Sequence, residues 1–281
     1  MTPDNRTLPS SEITSQNYAF LQNHIYRQSG IVLDGDKHYL LQARLAPIVA
    51  RRRIGSLNDL CVLLRTAHDA PLQREVVEAV TTNETLFFRD IELWTGLQTH
   101  LIPELVERHA ATRILRCWSA AASSGQEPYS LAMLLLEMGL QDWHVQIFAT
   151  DLSEQVLARA RAGLYSQLEV NRGLPARYLV KYFTRQGLSW QLKDEVRRMV
   201  RFVQADLRNV PNPLGPFDLV MCRNVLIYLD LDTRKRILRR IRGVLPYGGY
   251  LVLGSAETTL HIDDSFERRS LGRTTAYAAP K

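Results

Sequence analysis

The sequence predicts an α/β protein with a mostly parallel, Rossmann-like sheet. An all-helical domain precedes it, and a small β-rich insertion interrupts it. Three observations lead there. The first eighty residues place their apolar side chains at helical spacing and show no strand pattern. Beyond residue 90, apolar runs of strand length alternate with amphipathic segments, as in a sheet built from β-α units. Those runs are continuously apolar, which is what strands covered on both faces require.

Taken in order, YAFLQNHIYRQSG (18–30) reads as a helix closed by Ser-Gly, and DGDKHYLLQARLAPIVARRR (34–53) as one with an acidic start and a proline inside. SLNDLCVLLRT (56–66) begins on a serine cap, and PLQREVVEAVTT (71–82) opens with proline in its first turn. The strands are RILRCWS (113–119), HVQIFATD (144–151), RFVQADL (201–207), FDLVMCRN (217–224), GYLVLGS (249–255) and RTTAYAA (273–279). Between them EPYSLAMLLLEM (127–138), SEQVLARARAG (153–163) and LDTRKRILRRIRGVL (231–245) read as helices. Residues 165–200 break the alternation: YLVKYFT and LSWQL read as strands around a glycine, an inserted β-rich excursion.

Composition narrows the function classes. With 46% apolar and 23% charged residues, the 281-residue chain is ordinary globular material. No apolar run is long enough to span a membrane, and MTPDNRTLPSSE does not read as an export signal, so a cytoplasmic protein without membrane insertion is expected. Cys61, Cys117 and Cys222 stand far apart in apolar runs and are expected to be buried free thiols. The seven histidines are scattered without ligand spacing, so no metal is expected. Net charge is +6, yet residues 1–90 hold ten Lys/Arg against ten Asp/Glu, so the surplus lies further on. Two basic patches stand out: five cations and no acid in 37–58, and eight cations against two acids in 172–201. Each reads as a solvated face or as a surface for an acidic partner.

In an open α/β sheet, ligands bind beyond the carboxyl ends of the strands. The first strand ends in SAAASSGQEPYS, small residues that let a ligand approach the backbone, with Glu127 at the helix start. No G-x-G-x-x-G occurs here, so a pyrophosphate is poorly supported. Glu127 would hold a hydroxyl or a cationic group, or else simply cap the turn. Asp151 ends the second strand, 26 residues beyond Gly125, where an acid commonly binds ribose; its alternative is a helix-start acid. Asp206 ends the third and could accept from an adenine amino group. Three acids at successive strand ends beside a phosphate-poor loop fit S-adenosylmethionine, a nucleoside carrying a sulfonium. The fourth strand releases Arg223 and Asn224, with Tyr228 after an apolar step, and lacks the Asn-Pro-Pro type loop usual in nucleic-acid amino-methyltransferases.

TTNETLFFRD (81–90), AAASSGQEPYS, ATDLS and FDLVMCRNVLIYLD, in this order, resemble the chemotaxis-receptor glutamate methyltransferases (CheR-type) over nearly the whole chain. One mild departure is Gln126, where many relatives carry an acid or another polar residue. The resemblance implies a class I methyltransferase domain (91–281, inserted β-subdomain at about 165–200) behind a helical domain (1–80), with 81–90 as a linker that completes the cofactor pocket. It implies methyl transfer from S-adenosylmethionine to glutamate side chains of chemoreceptor cytoplasmic helices, giving γ-methyl esters and S-adenosylhomocysteine. Cofactor contacts are then expected from Asn83, Thr85, Arg89, Glu127, Asp151, Asp206, Leu207, Arg223 and Asn224, with Phe87 and Phe88 anchoring the segment. Arg89 and Tyr228 are expected beside the reacting groups; a core tyrosine is the alternative for Tyr228.

The chemistry agrees. A glutamate side chain is already ionised at neutral pH, so no general base is required. Lys37, Arg44 and Arg51 lie seven residues apart, one face of a helix, and could meet a receptor helix bearing several glutamates. Relatives that grip a receptor's C-terminal tail peptide use a longer glycine-rich loop than TRQGLSW, so independence from such a tail is expected. Two other readings are a nucleic-acid methyltransferase, suggested by pI 9.3 and the basic patches, and a non-catalytic cofactor-binding signalling protein.

Overall fold

In the computed structural model, which describes residues 13–33, 38–210 and 215–280, the chain divides after Thr82 into two units. The first holds helices α1 (Ser15–Ser29), α2 (His38–Arg51), α3 (Leu57–Thr66) and α4 (Ala70–Val80). Thr14, Ser56 and Asp69 cap three of these, each side chain accepting from an N–H three residues on. Gly30 closes α1 in the left-handed conformation, as its Ser-Gly ending predicts. Leu21, Ile25, Leu45, Leu60 and Val76, all fully buried, form the unit's own core.

The second unit is built on a seven-stranded sheet. Its strands are β1 (Ile114–Ala120), β2 (His144–Asp151), β6 (Val200–Gln204), β7 (Leu219–Cys222), β8 (Tyr250–Leu253), β9 (Glu267–Leu271) and β10 (Thr274–Ala278). They run in the order β6-β2-β1-β7-β8-β10-β9. All pairs are parallel up to β8, whereas β10 pairs antiparallel with both β8 and β9. Helices α7 (Gln126–Glu137), α8 (Glu154–Ala162) and α12 (Leu231–Val244) cover it. Separate apolar clusters form, one around Leu115, Leu135 and Ile147 and another around Val220, Ile237 and Leu251. The three cysteines are free and buried, and burial lifts the Cys61 thiol to about 11 and the other two above their ordinary value.

The insertion forms a three-stranded antiparallel sheet, β3 (Leu164–Ser166), β5 (Ser189–Leu192) and β4 (Phe183–Gln186) in that spatial order. Its first half differs from the sequence expectation. YLVKY is the end of a helix, α10 (Ala176–Tyr182), and only Phe183 begins a strand. Tyr178 and Tyr182 are four apart and both buried, while Val180 between them is 80% exposed, a one-sided helical burial. The sequence reading assigned nothing to the edge strand β9, nor to α5 (Ile91–Gly96), a π-helical turn (Leu97–Leu101) and α6 (Ile102–Arg108). Pro103 lacks the N–H that would continue a regular ladder there.

Phe87 belongs to the core of this unit: it is fully buried, edge-on to Tyr165 at 5.0 Å and to Phe183 at 5.7 Å. Truncation to alanine is expected to cost about 3–5 kcal/mol, read as a lowered urea midpoint. A loss below about 1 kcal/mol would detach segment 83–90 from the core.

Candidate active site

The strand order reverses between β1 and β7, which makes the crevice at their carboxyl ends the natural ligand site. After β1 the chain turns through left-handed backbone at Ala121, Ser123 and Gly125, with φ of 60°, 49° and 92°. Glycine is required at the last: a Cβ there would stand 2.9 Å from that of Ala160. Asp151, at the end of β2, holds this loop. Its carboxylate accepts from the backbone N–H of Ser123 at 2.8 Å and of Ser153 at 3.0 Å. The Ser123 hydroxyl donates to the Asn83 carbonyl at 2.8 Å, joining the loop to the 83–90 segment.

That segment is fixed through its backbone. Phe88 and Asp90 both take positive φ, 49° and 64°, conformations that need support from their surroundings. The Phe88 N–H donates to Ser130 Oγ at 3.0 Å, and its ring packs on Trp94 and Tyr178. Between them, the Arg89 carbonyl accepts from Trp94 Nε1 at 2.9 Å and from Arg223 Nη2 at 3.1 Å. The Arg89 guanidinium, by contrast, makes one hydrogen bond among the described residues, a 3.4 Å approach to the Glu84 carbonyl, and its charge adds a minor downward pull on the Glu84 carboxyl.

Arg223 is the hub. Its side chain is 2% exposed and pairs with Asp90 at 2.6 Å and Glu127 at 2.9 Å. Glu127 also accepts from the Ser119 hydroxyl at 2.8 Å. Burial raises the Glu127 carboxyl above the usual carboxylate range, and the Arg223 charge partly opposes that rise.

Beyond Arg223, Asn224 adopts φ 57° and leads into the single turn Leu226–Tyr228. Glu257, which the sequence reading missed, organises this stretch. Its carboxylate accepts from the backbone N–H groups of Asn224 (2.7 Å), Val225 (3.0 Å), Leu226 (2.8 Å), Ile227 (3.3 Å) and Gly254 (2.8 Å). At the end of β6, Asp206 turns to its own neighbour: the Arg208 guanidinium grips both carboxylate oxygens at 2.7–3.0 Å. Leu207 is half-buried beside it.

The structure therefore gathers Asn83, Thr85, Arg89, Glu127, Asp151, Arg223, Asn224 and Tyr228 on neighbouring strand ends and loops of the second unit. Together with Asp206, and leaving aside Arg89, they fall into two groups. Glu127, Asp151, Asp206 and Arg223 are tied into protein contacts, whereas the side chains of Asn83, Thr85, Asn224 and Tyr228 make no hydrogen bond among the described residues. A donor and acceptor set of this kind, whose one buried cation is already neutralised by two acids and which lies beside a small-residue loop, fits a nucleoside with hydroxyl, amino and sulfonium groups. A cavity of about 510 Å³ opens on the β8 side, between Asp90, Glu257, Phe266 and Tyr277.

The predicted α2 stripe lies in the other unit. Arg44 binds the Val80 carbonyl and, at 3.1 Å, the Thr82 hydroxyl, and Arg51 pairs with Glu75 at 3.3 Å while 61% exposed. Lys37 lies outside the described residues.

Sheet order and switch-point loops are those of a Rossmann-like domain, and the family match below makes it an S-adenosylmethionine-dependent methyltransferase. The chain belongs to the CheR methyltransferase family. Residues 83–274 match "CheR methyltransferase, SAM binding domain", and residues 16–81 match "CheR methyltransferase, all-alpha domain". It is 41% identical to chemotaxis protein methyltransferase 1 of Vibrio cholerae over 261 residues, covering 91% of this chain and 94% of that protein. Chemotaxis protein methyltransferase 1 of Pseudomonas aeruginosa is 42% identical over 85% of this chain and 88% of its own length.

Replacing Arg223 with methionine leaves Glu127 buried without its counter-charge, at an expected cost of about 3–5 kcal/mol near neutral pH. The folded-state pKa of Glu127 then sits further above its unfolded value. Stability from a group shifted that way is intact below the unfolded pKa and lost as pH rises through the folded one. Urea titrations are thus expected to show a smaller deficit at about pH 5 than at about pH 8; a deficit independent of pH would clear Glu127 of the role.

Proposed function

We propose that this chain is a protein-glutamate O-methyltransferase that esterifies glutamate side chains on the cytoplasmic helices of a chemoreceptor, with S-adenosylhomocysteine as the second product. What carries this reading is family membership across both units: the two family models together run from residue 16 to 274. The nucleic-acid reading loses its footing, because the relatives are chemotaxis methyltransferases and the expected base-binding loop is missing after β7.

When bound, S-adenosylmethionine supplies an electrophilic methyl on its sulfonium sulfur. Asp151, at the end of β2, takes the ribose hydroxyls. Asp206 and Leu207 meet the adenine end, and Asn83, Thr85, Glu127, Arg223 and Asn224 line the rest. The acceptor glutamate arrives ionised, so the enzyme needs to aim one carboxylate oxygen along the line behind the methyl and keep water out. Arg89 holds the other oxygen through charge-assisted hydrogen bonds. Its pinned carbonyl and loose guanidinium suit that work: the base of the side chain is fixed, and no internal ion pair has to break. Tyr228, whose hydroxyl has no hydrogen-bond partner among the described residues, donates to the acceptor or walls the sulfonium.

Segment 83–90 serves as one wall of this pocket, the helical unit as the receptor-facing module through the exposed side of α2, and the inserted sheet works without a receptor tail peptide. The proposed acceptor helices are cytoplasmic, which makes the cytoplasm the proposed place of action. No helix among the described residues is long and apolar enough to cross a membrane.

Incubation with labelled cofactor and receptor cytoplasmic fragments, including fragments cut short at the tail, is expected to give label released by mild base as methanol. Base-stable label on RNA or DNA would overturn the reading. Arg89→Ala is expected to lower turnover by about tenfold or more while shifting stability by less than about 0.5 kcal/mol. Equal losses in both would make Arg89 a structural residue. Tyr228→Phe, which removes only that hydroxyl, is expected to leave the melting temperature unchanged and reduce kcat.

A further inference from the structure

We infer that Glu257 is a positioning residue for methyl transfer: its carboxylate sets the loop that presents Asn224 and Tyr228. The inference rests on the proposed function and extends it to a residue that touches neither cofactor nor acceptor in that reading. Two independent features support it.

The first is the density of donors. Five backbone N–H groups, from Gly254 and from Asn224 through Ile227, converge on one carboxylate at 2.7–3.3 Å. Consecutive N–H groups pointing into one concavity form an anion nest, and here the anion is a side chain of the same protein. An ionised carboxylate offers about four lone-pair sites, which the five donors share: Val225, Leu226 and Ile227 on Oε1, Asn224 and Gly254 on Oε2. The nest bends the chain so that Asn224 takes left-handed φ, a conformation available to asparagine at modest cost. The turn Leu226–Tyr228 begins inside it, which aims Tyr228.

The second feature is the glycine opposite. A Cβ at Gly254 would lie 2.7 Å from Asn224 Nδ2, 2.7 Å from Glu257 Oε2 and 3.0 Å from the Asn224 nitrogen. The end of β8 therefore leaves room for the Asn224 amide in one place only, and glycine at 254 is part of the same device. Glu257 itself is half-buried on the wall of the 510 Å³ cavity, outside the Arg223 network. Its charge adds to the upward push on the Glu127 carboxyl, but its hydrogen bonds among the described residues go to the 224–227 backbone and Gly254, so its hold on geometry runs through the 224–228 loop.

The variants are Glu257→Gln, whose amide turns donors toward at least one of the five N–H groups, and Gly254→Ala, which crowds the Asn224 amide. The readout is binding of S-adenosylhomocysteine by calorimetry, in the wild-type and Asn224→Ala backgrounds, followed by receptor-fragment methylation. Each single variant is expected to raise Kd about tenfold and to lower kcat more than it raises the receptor KM. In the Asn224→Ala background the same changes are expected to shift Kd less than about twofold, because residues acting as one unit are not additive. Full additivity in that cycle, or unchanged Kd in both single variants, would overturn the inference. If Glu257→Gln fails to fold, Gly254→Ala decides alone. Wild-type protein that binds no S-adenosylhomocysteine would instead sink the cofactor reading, and the inference with it; wild-type binding with an additive cycle sinks the inference only.

Discussion

The site depends on one buried cation. Arg223 leaves the end of β7 with almost no contact with water, and a guanidinium in that position is tolerable only if its surroundings supply counter-charges and acceptors. Asp90, Glu127 and the Arg89 carbonyl supply them. They come from two elements: Asp90 and the Arg89 carbonyl from the segment after residue 82, and Glu127 from the first turn of α7. Satisfying one buried charge therefore fixes three pieces of chain that are far apart in sequence. The strained backbone of Phe88 and Asp90 is held in place by this requirement and by the aromatic packing beneath it.

From this follows a division of labour among polar residues that look alike in the sequence. Those tied internally, Asp151 with two backbone donors and Arg223 with two acids, shape the walls. Those whose side chains make no hydrogen bond among the described residues, such as Asn83, Thr85 and Tyr228, are the ones able to form new hydrogen bonds without breaking old ones. A site arranged in this way meets its ligand with geometry already set, which lowers the ordering cost of binding and reaction.

Much of this was legible beforehand. The strands of the large sheet are marked by unbroken apolar runs, and their ends located Asp151, Asp206 and Arg223 without knowledge of strand order. The segment TTNETLFFRD stood out because its residue types suit neither a strand nor an idle linker. What escaped depends on long-range pairing. YLVKYFT has β-favouring residues, yet two buried tyrosines four apart draw it into a helix. Glu257 follows Gly-Ser-Ala in an unremarkable loop, and its five donors come from a stretch about thirty residues earlier and from Gly254. Nor could spacing along α2 reveal that Arg44 spends its guanidinium on the end of α4. Periodicity reports which face a residue occupies; it does not report who else has claimed that face.

The three cysteines have a practical corollary. All are buried, and each thiol is pushed above its ordinary pKa, so the reactive thiolate is scarce at neutral pH and shielded when it forms. The folded protein is in effect thiol-silent. A cysteine introduced on an exposed turn would be the one group open to a maleimide dye or spin label, with the native sequence otherwise left intact.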